Sequence, residues 1–277
     1  MMFRVCSLSF AVAALLAAAA AAQQWEPLLL DSSLSNWTQA DGTQPGAAWE
    51  LDQGVLHLQQ GTQRGGNLLT RDEFGDFELV FEWKIAARGN NGVKYRVRDY
   101  HGKTLGIEYQ LIDDVDYGGL RPEQTTASIY DLFAPASDKP LRPIGEFNRS
   151  AIVVRHQHLE HFLNGRLVAE QQIGDPTWRQ HVADSKFADA GDFGENVIGR
   201  IMLTDHNSEV WFRNMFVRRL DAVDGVSANG SSYFACARSS SDCSAPSSHI
   251  RHSHVRRPWR ANVRLLNTEL RLVRCCH

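Results

Sequence analysis

From Phe77 to Ile85, in the run DFELVFEWKI, large apolar residues recur at every second position: Phe77, Leu79, Phe81, Trp83 and Ile85 alternate with Glu78, Glu82 and Lys84. A repeat of two belongs to a pleated strand, because successive side chains leave opposite faces, whereas a helix would scatter the same residues around its circumference. The stretch therefore commits the chain to a sheet with one buried face. The same period returns in residues 89–113, GNNGVKYRVRDYHGKTLGIEYQLID, which predicts two strands, Val93 to Arg98 and Leu105 to Ile112, joined by a polar turn. Val93, Tyr95 and Val97 are expected on one face of the first strand and Lys94, Arg96 and Arg98 on the other. In the second, Ile107, Tyr109 and Leu111 oppose Glu108 and Gln110. Lys94, Arg96, Glu108 and Gln110 then share a patch that could hold a polar ligand. A solvated face of an antiparallel sheet has the same composition, so both readings stay open. The entry run Gly89-Asn90-Asn91-Gly92 tolerates positive φ and lets backbone approach a ligand closely.

The rest of the chain repeats the pattern. Short strands are predicted near Trp25–Trp37, on both sides of the Gln53-Gly54 turn in Trp49–Leu58, and at Asn67–Thr70. Residues 151–171 form a pair of hairpins, with Asn164-Gly165 as a type I′ turn signal. Pro176 to Phe187 is one short helix. Gly199 to Leu220 gives two closing strands around Thr204-Asp205-His206-Asn207-Ser208. A long irregular piece, Asp113 to Asn148, contains four prolines and Tyr130-Asp131; loops of that length in compact domains are usually functional. Many short strands with turn residues between them predict an all-β fold, a sandwich of two antiparallel sheets.

Formal charge of −3 over 277 residues argues against a general polyanion binder. Arg4 precedes an apolar run, Val5 to Ala22, that closes in alanines, the layout of a secretory signal peptide (residues 1–22) cleaved near Ala22. An uncleaved anchor is the alternative, although the run is short for a span and carries few leucines. Secreted or periplasmic localisation follows, with no stable membrane span once the signal is removed. Residues 23–221 contain no cysteine, so the main domain must be held together by burial. Residues 222–277 are rich in Ser and Arg and hold Cys236, Cys243, Cys275 and Cys276 without metal-ligand spacing; they read as a disordered tail, or as sequence that is not native coding sequence.

A series of motifs follows in order: Trp49-Glu-Leu-Asp-Gln-Gly54, Phe74-Gly-Asp-Phe-Glu-Leu79, Asn90-Asn-Gly-Val-Lys-Tyr-Arg96, Glu108-Tyr-Gln-Leu-Ile-Asp113, Ile129-Tyr-Asp-Leu-Phe-Ala-Pro135, Gly145-Glu-Phe-Asn148, Phe162-Leu-Asn-Gly165, Leu203-Thr-Asp-His206 and Val210-Trp-Phe-Arg-Asn214. It resembles the 3-keto-disaccharide hydrolase family, also described as 3-keto-glucoside 1,2-lyase and 3-keto-2-hydroxy-glucal hydratase. The resemblance covers nearly all of residues 25–220. It implies a concanavalin A-like jelly-roll sandwich, exported, acting on glycosides already oxidised at C3. Thr204, Asn207 and Phe147 depart from the family's usual Gln, Gly and Trp, and the tail has no counterpart.

An ordinary glycosidase needs two carboxyl groups facing each other across the scissile bond, roughly 5 to 9.5 Å apart. Two positions after Glu108 stands Gln110, which cannot ionise, and Asp113 lies at an odd offset that places it on the opposite face unless a bulge intervenes. A 3-keto sugar does not require the pair. Its ketone acidifies the C2 proton, so a single base can remove it, a cation can hold the enediolate, and the C1 substituent leaves by β-elimination. Glu108 or His206 is the candidate base, Lys94 and Arg96 the candidate stabilisers, and Tyr130 or Asp113 the candidate donors. Gln110 lines the patch, and Asp205 is placed to orient the His206 ring. A divalent metal held by His206 and a carboxylate is also possible. For each there is a structural alternative: Glu108 pairing only with Arg96, Asp113 capping a turn, Tyr130 stacking on ligand. His156, His158 and His161 read as surface on a hairpin. A lectin-like sandwich that binds sugar without chemistry remains the other class of function.

Overall fold

The computed structural model describes residues 24–30, 33–61 and 63–220; the signal-peptide and tail readings, and every cysteine, fall outside them. Among the described residues thirteen strands, β1 (Glu26–Pro27), β2 (Trp37–Thr38), β3 (Trp49–Asp52), β4 (Val55–Leu58), β5 (Leu68–Phe74), β6 (Phe77–Ile85), β7 (Asn90–Tyr100), β8 (Lys103–Ile112), β9 (Asn148–Arg155), β10 (His158–Leu163), β11 (Arg166–Gln172), β12 (Gly199–Leu203) and β13 (Val210–Arg219), are joined by one α-helix, α1 (Pro176–Ala183), and a single 3-10 turn, Pro122–Gln124. They form two antiparallel sheets. An eight-stranded sheet runs β11-β10-β9-β6-β13-β4-β3, with β1 also on β13, and a five-stranded sheet runs β2-β5-β12-β7-β8. The expected two-sheet sandwich is what the chain adopts. No helix among the described residues is long and apolar enough to cross a membrane.

The core lies between the sheets and is built by the residues whose spacing predicts it. Phe77, Leu79, Phe81, Trp83 and Ile85 of β6 are all at most 2% exposed and face Val93, Tyr95, Ile107, Tyr109 and Leu111. Phe77 meets Tyr95 edge to face at 6.1 Å, and Phe81 meets Tyr109 at 5.7 Å, so each ring pair ties one sheet to the other. Burying one such side chain contributes about 1.5–3 kcal/mol. Two polar side chains are also in this core. His161, expected at the surface, is fully buried between the Tyr95 hydroxyl (2.8 Å) and the Ala127 carbonyl (3.1 Å). Ser150 links the Trp83 indole N–H to the Tyr109 hydroxyl, each at 2.8 Å. The hairpin alternation places His161 inward just as it places Leu159 and Leu163 inward; only its polarity made it read as surface.

Strict alternation does not hold through β7. The register of β7 on both neighbours slips after Tyr95, and Arg96 sits at φ +50°, a bulge that lies beside Gly106 of β8. A β-carbon on Gly106 would stand 2.6 Å from Val97 Cγ2 and 2.7 Å from the Tyr95 carbonyl oxygen, so the bulge needs the glycine. The bulge turns Val97 to the outer face, where it packs with Leu69 and Met202. Arg96 turns away from that face.

Two segments outside the sheets complete the surroundings of β8. Residues 127–130 run along its open edge: the Ala127 N–H donates to the Gln110 carbonyl (2.8 Å) and the Tyr130 N–H to the Glu108 carbonyl (3.0 Å). Helix α1 begins where the Asp175 carboxylate accepts the Trp178 N–H at 2.6 Å and Pro176 fills the first turn. It buries Trp178 and Val182, and the Trp178 indole donates to the Phe193 carbonyl at 2.9 Å, which folds the following turn back on the helix.

Candidate functional site

One row of paired residues crosses the outer face of the five-stranded sheet. Leu69 of β5 pairs with Met202 of β12, Met202 with Lys94 of β7, and Lys94 with Glu108 of β8. Tyr130 follows beyond the edge. In the next row Thr204 donates its N–H to the Gly92 carbonyl at 3.1 Å, and Gly92 pairs with Gln110. Residues in register share a face, so the sheet gathers an amine, a carboxylate, an amide and a phenol on one surface.

Glu108 is 4% exposed and its Oε2 lies 3.5 Å from Lys94 Nζ. Its carboxylate leans along the strand over position 92: a β-carbon there would fall 2.1 Å from Oε1. Gly92 therefore provides the space that the acid occupies. Lys186, carried by the turn after α1, places Nζ 4.1 Å from the centre of the Tyr130 ring. Burial pushes the Lys186 amine below its ordinary value and the nearby Lys94 pushes it further, while Glu108 and Asp131 act against both. Tyr130 is raised by burial and by the charge of Glu108.

His206 sits in the β12–β13 loop and is exposed. Desolvation by the protein near it lowers its pKa below 6.5; Glu108 pulls it up, and Lys94, Lys186 and Arg64 push it down. The net result is a neutral imidazole at neutral pH. Glu108, Lys94, Lys186 and Arg64 are thus the charged groups that act on the His206 ring.

Other predicted site residues have different roles. Arg96 is 0% exposed, and its guanidinium donates to the His156 and Gly194 carbonyls and to Gln157 Oε1 (2.5 Å) at the β9–β10 turn of the other sheet. It is a tie between sheets and does not reach the patch; its expected partner Glu108 pairs with Lys94 instead. Asp113 is also fully buried. Its oxygens accept the N–H groups of Arg88 (2.8 Å), Val115 and Asp116 (both 3.1 Å), which joins the β6–β7 turn to the loop after β8. Burial raises its pKa, yet these N–H groups hold it below the usual carboxylate value, so it is no proton donor. Asp205 does not orient the His206 ring. Its carboxylate accepts from Arg64 Nε (3.1 Å), Gly66 N–H (2.9 Å) and Asn207 N–H (2.8 Å), and so fixes the loop that carries Arg64. Gln110 shares the face of Glu108 and donates to Asn90 Oδ1 at 3.1 Å.

Lys186 lies over Tyr130 and Arg64 acts on His206, and period and motif single out neither, since both come from segments outside the paired strands. The glycine run at 89–92 is the available signal for the close approach at Gly92. Among the described residues, the one trio of metal-ligand type whose donor atoms all lie within 4.8 Å of one another is His158, Glu160 and Glu170, on the eight-stranded sheet and away from His206.

A two-sheet sandwich with a nearly buried carboxylate against a lysine on the outer face of its five-stranded sheet, flanked by an amide and a phenol, defines the class: a β-sandwich with a polar cluster on one sheet. The chain belongs to the family of 3-keto-alpha-glucoside-1,2-lyase-like domains, whose family model matches residues 24–218. A 3-keto-disaccharide hydrolase of Bacteroides thetaiotaomicron is 30% identical over an alignment that covers 57% of this chain and 63% of that protein, so the match spans less than two thirds of the relative's length. Crystal structures of two putative glycosyl hydrolases from Parabacteroides distasonis superpose with TM-scores of 0.65 and 0.56, at 27% and 25% identity. They cover 71% of this chain and 94% and 100% of theirs.

Proposed function

We propose that this protein cleaves glycosides carrying a ketone at C3, by removal of the C2 proton and elimination at C1. The observation that carries the reading is the row Lys94–Glu108–Tyr130, with the charge of Glu108 acting on both His206 and Lys186. Glu108 takes the C2 proton. The electron pair left on C2 is delocalised onto the C3 oxygen, where Lys94 and Lys186 balance the negative charge. Collapse of the enediolate forms the C1=C2 double bond and breaks the C1–O bond, the departing oxygen takes its proton from the Tyr130 hydroxyl, and the neutral His206 ring serves as base toward the water that adds next. Water then adds hydroxyl to C1 and hydrogen to C2, which gives net hydrolysis. One carboxylate suffices, consistent with Gln110 and Asp113 being unable to serve as its partner.

The relative named a 3-keto-disaccharide hydrolase supports the substrate class. Purified protein releases glucose and 3-keto-glucose from 3-keto-trehalose, and methanol and 3-keto-glucose from a methyl 3-keto-glucoside; affinity without turnover would make it the lectin-like module instead. The assay run with and without chelator tests a divalent metal at His206. The export reading rests on residues 1–22 alone and is tested by N-terminal sequencing of protein recovered outside the cytoplasm.

A further inference from the structure

Three side chains of metal-ligand type meet on the other sheet from Glu108. Leu159, His161 and Leu163 of β10 are buried toward the core, so His158 and Glu160, two residues apart, leave together on the outer face of the eight-stranded sheet. Glu160 pairs in register with Glu170 of β11, which brings a third donor onto the same face from the neighbouring strand. One donor atom from each, an imidazole nitrogen and two carboxylate oxygens, lies within 4.8 Å of both others. His158 Nε2 stands 3.3 Å from Glu170 Oε1 and 3.9 Å from Glu160 Oε1. Ligand atoms bonded at about 2.0–2.2 Å in a tetrahedron are roughly 3.3–3.6 Å apart, so the first distance already fits and the second needs only a small side-chain rotation.

The sheet also lacks a full counter-charge here. Two carboxylates set directly opposite each other on neighbouring strands repel. Among the described residues, the ion pairs of Glu160 and Glu170 are with His158 alone, one imidazole that is charged only when protonated. Further along the same row, through Val153, Glu78 has the Arg218 guanidinium at 2.5 Å as its own cation. The donors are also held in place: β10 is paired on both sides, to β9 and to β11, so His158 and Glu160 rise from a fixed backbone. One nitrogen with two oxygens and no thiolate suits a borderline divalent ion such as Zn²⁺, whereas Mg²⁺ and Ca²⁺ take oxygen ligands. Three partly exposed protein ligands leave the remaining coordination position to water.

We propose that His158, Glu160 and Glu170 bind one Zn²⁺ ion on the outer face of the eight-stranded sheet and so tie the edge strand β11 to β10. This site is separate from the reaction assigned to Glu108, and neither reading depends on the other. Isothermal titration of the full chain with Zn²⁺ in metal-free buffer tests it. His158→Gln and Glu170→Gln each lose one Zn²⁺ equivalent relative to the unaltered protein, or bind it about tenfold or more weakly, whereas His206→Ala retains it. Both variants change partly exposed side chains, and their circular dichroism stays that of the unaltered protein. Excess Zn²⁺ raises the thermal midpoint of the unaltered protein and raises it less in either variant, since an ion held only by the folded hairpin stabilises the fold. Unchanged stoichiometry and affinity in either variant overturns the site, as does an unaltered protein that binds no Zn²⁺. Displacement of the ion by equimolar Mg²⁺ would mark a general acidic patch and overturns it as well.

Discussion

The Glu108 carboxylate occupies the space where a side chain at position 92 would begin: a β-carbon on Gly92 would lie 2.1 Å from Oε1, 2.8 Å from Cδ and 2.9 Å from Cγ. The acid is thus seated over bare backbone, between Lys94 and the Thr204–His206 loop. Gly92→Ala must push the carboxylate aside. Turnover of a 3-keto-glycoside is expected to fall at least about tenfold, since misplacing a catalytic group by 1 Å has effects of that order or larger. Circular dichroism should remain that of a β-sandwich, with a stability loss of about 1–3 kcal/mol.

Arg96→Leu tests the opposite assignment. Removing the guanidinium leaves the His156 and Gly194 carbonyls and Gln157 without their donor, at a cost of about 2–4 kcal/mol. Thermal unfolding should shift down by several degrees, while kcat per folded molecule, measured well below the transition, changes little. A selective loss of kcat with unchanged melting would return Arg96 to the site.

His161 makes the fold sensitive to acid. Burial drives its pKa from 6.5 to about 4, so the unfolded chain binds the proton more readily than the folded one. The contribution of neutral His161 is complete above pH 6.5 and is lost as pH falls toward 4, by about 3 kcal/mol in all. Denaturant midpoints measured from pH 7 to 4 should fall accordingly, and His161→Gln, which cannot titrate in this range, should flatten the curve.

His206 sets the acid limb of the reaction. Because burial and three nearby cations hold it below 6.5, against the pull of Glu108, the neutral ring persists to lower pH than for a free histidine. The acid side of the kcat/KM profile is expected to break below pH 6.5. In His206→Ala that break disappears and the plateau drops by about tenfold to a thousandfold.

The fold was legible because the core obeys a period of two: the alternating residues of β6 and β8 are the residues that meet between the sheets. Glu108, Lys94 and Gln110 followed from the same rule. Arg96 did not, because a one-residue bulge reverses the alternation, and its trace in the sequence is Gly106 within an otherwise regular strand. Asp113 and Asp205 were misread because carboxylates that accept backbone N–H groups look, in sequence, the same as carboxylates that do chemistry. Lys186 comes over Tyr130 and Arg64 binds Asp205 through tertiary packing of a helix and a loop, which no local pattern encodes.

The most direct test follows the C2 hydrogen. Methyl 3-keto-glucoside is cleaved in deuterium oxide and the 3-keto-glucose formed is analysed by NMR against an enzyme-free control. The account predicts deuterium at C2 in the product of the unaltered protein and neither cleavage nor C2 exchange above background with Glu108→Gln. Cleavage that keeps the original hydrogen at C2 would contradict it.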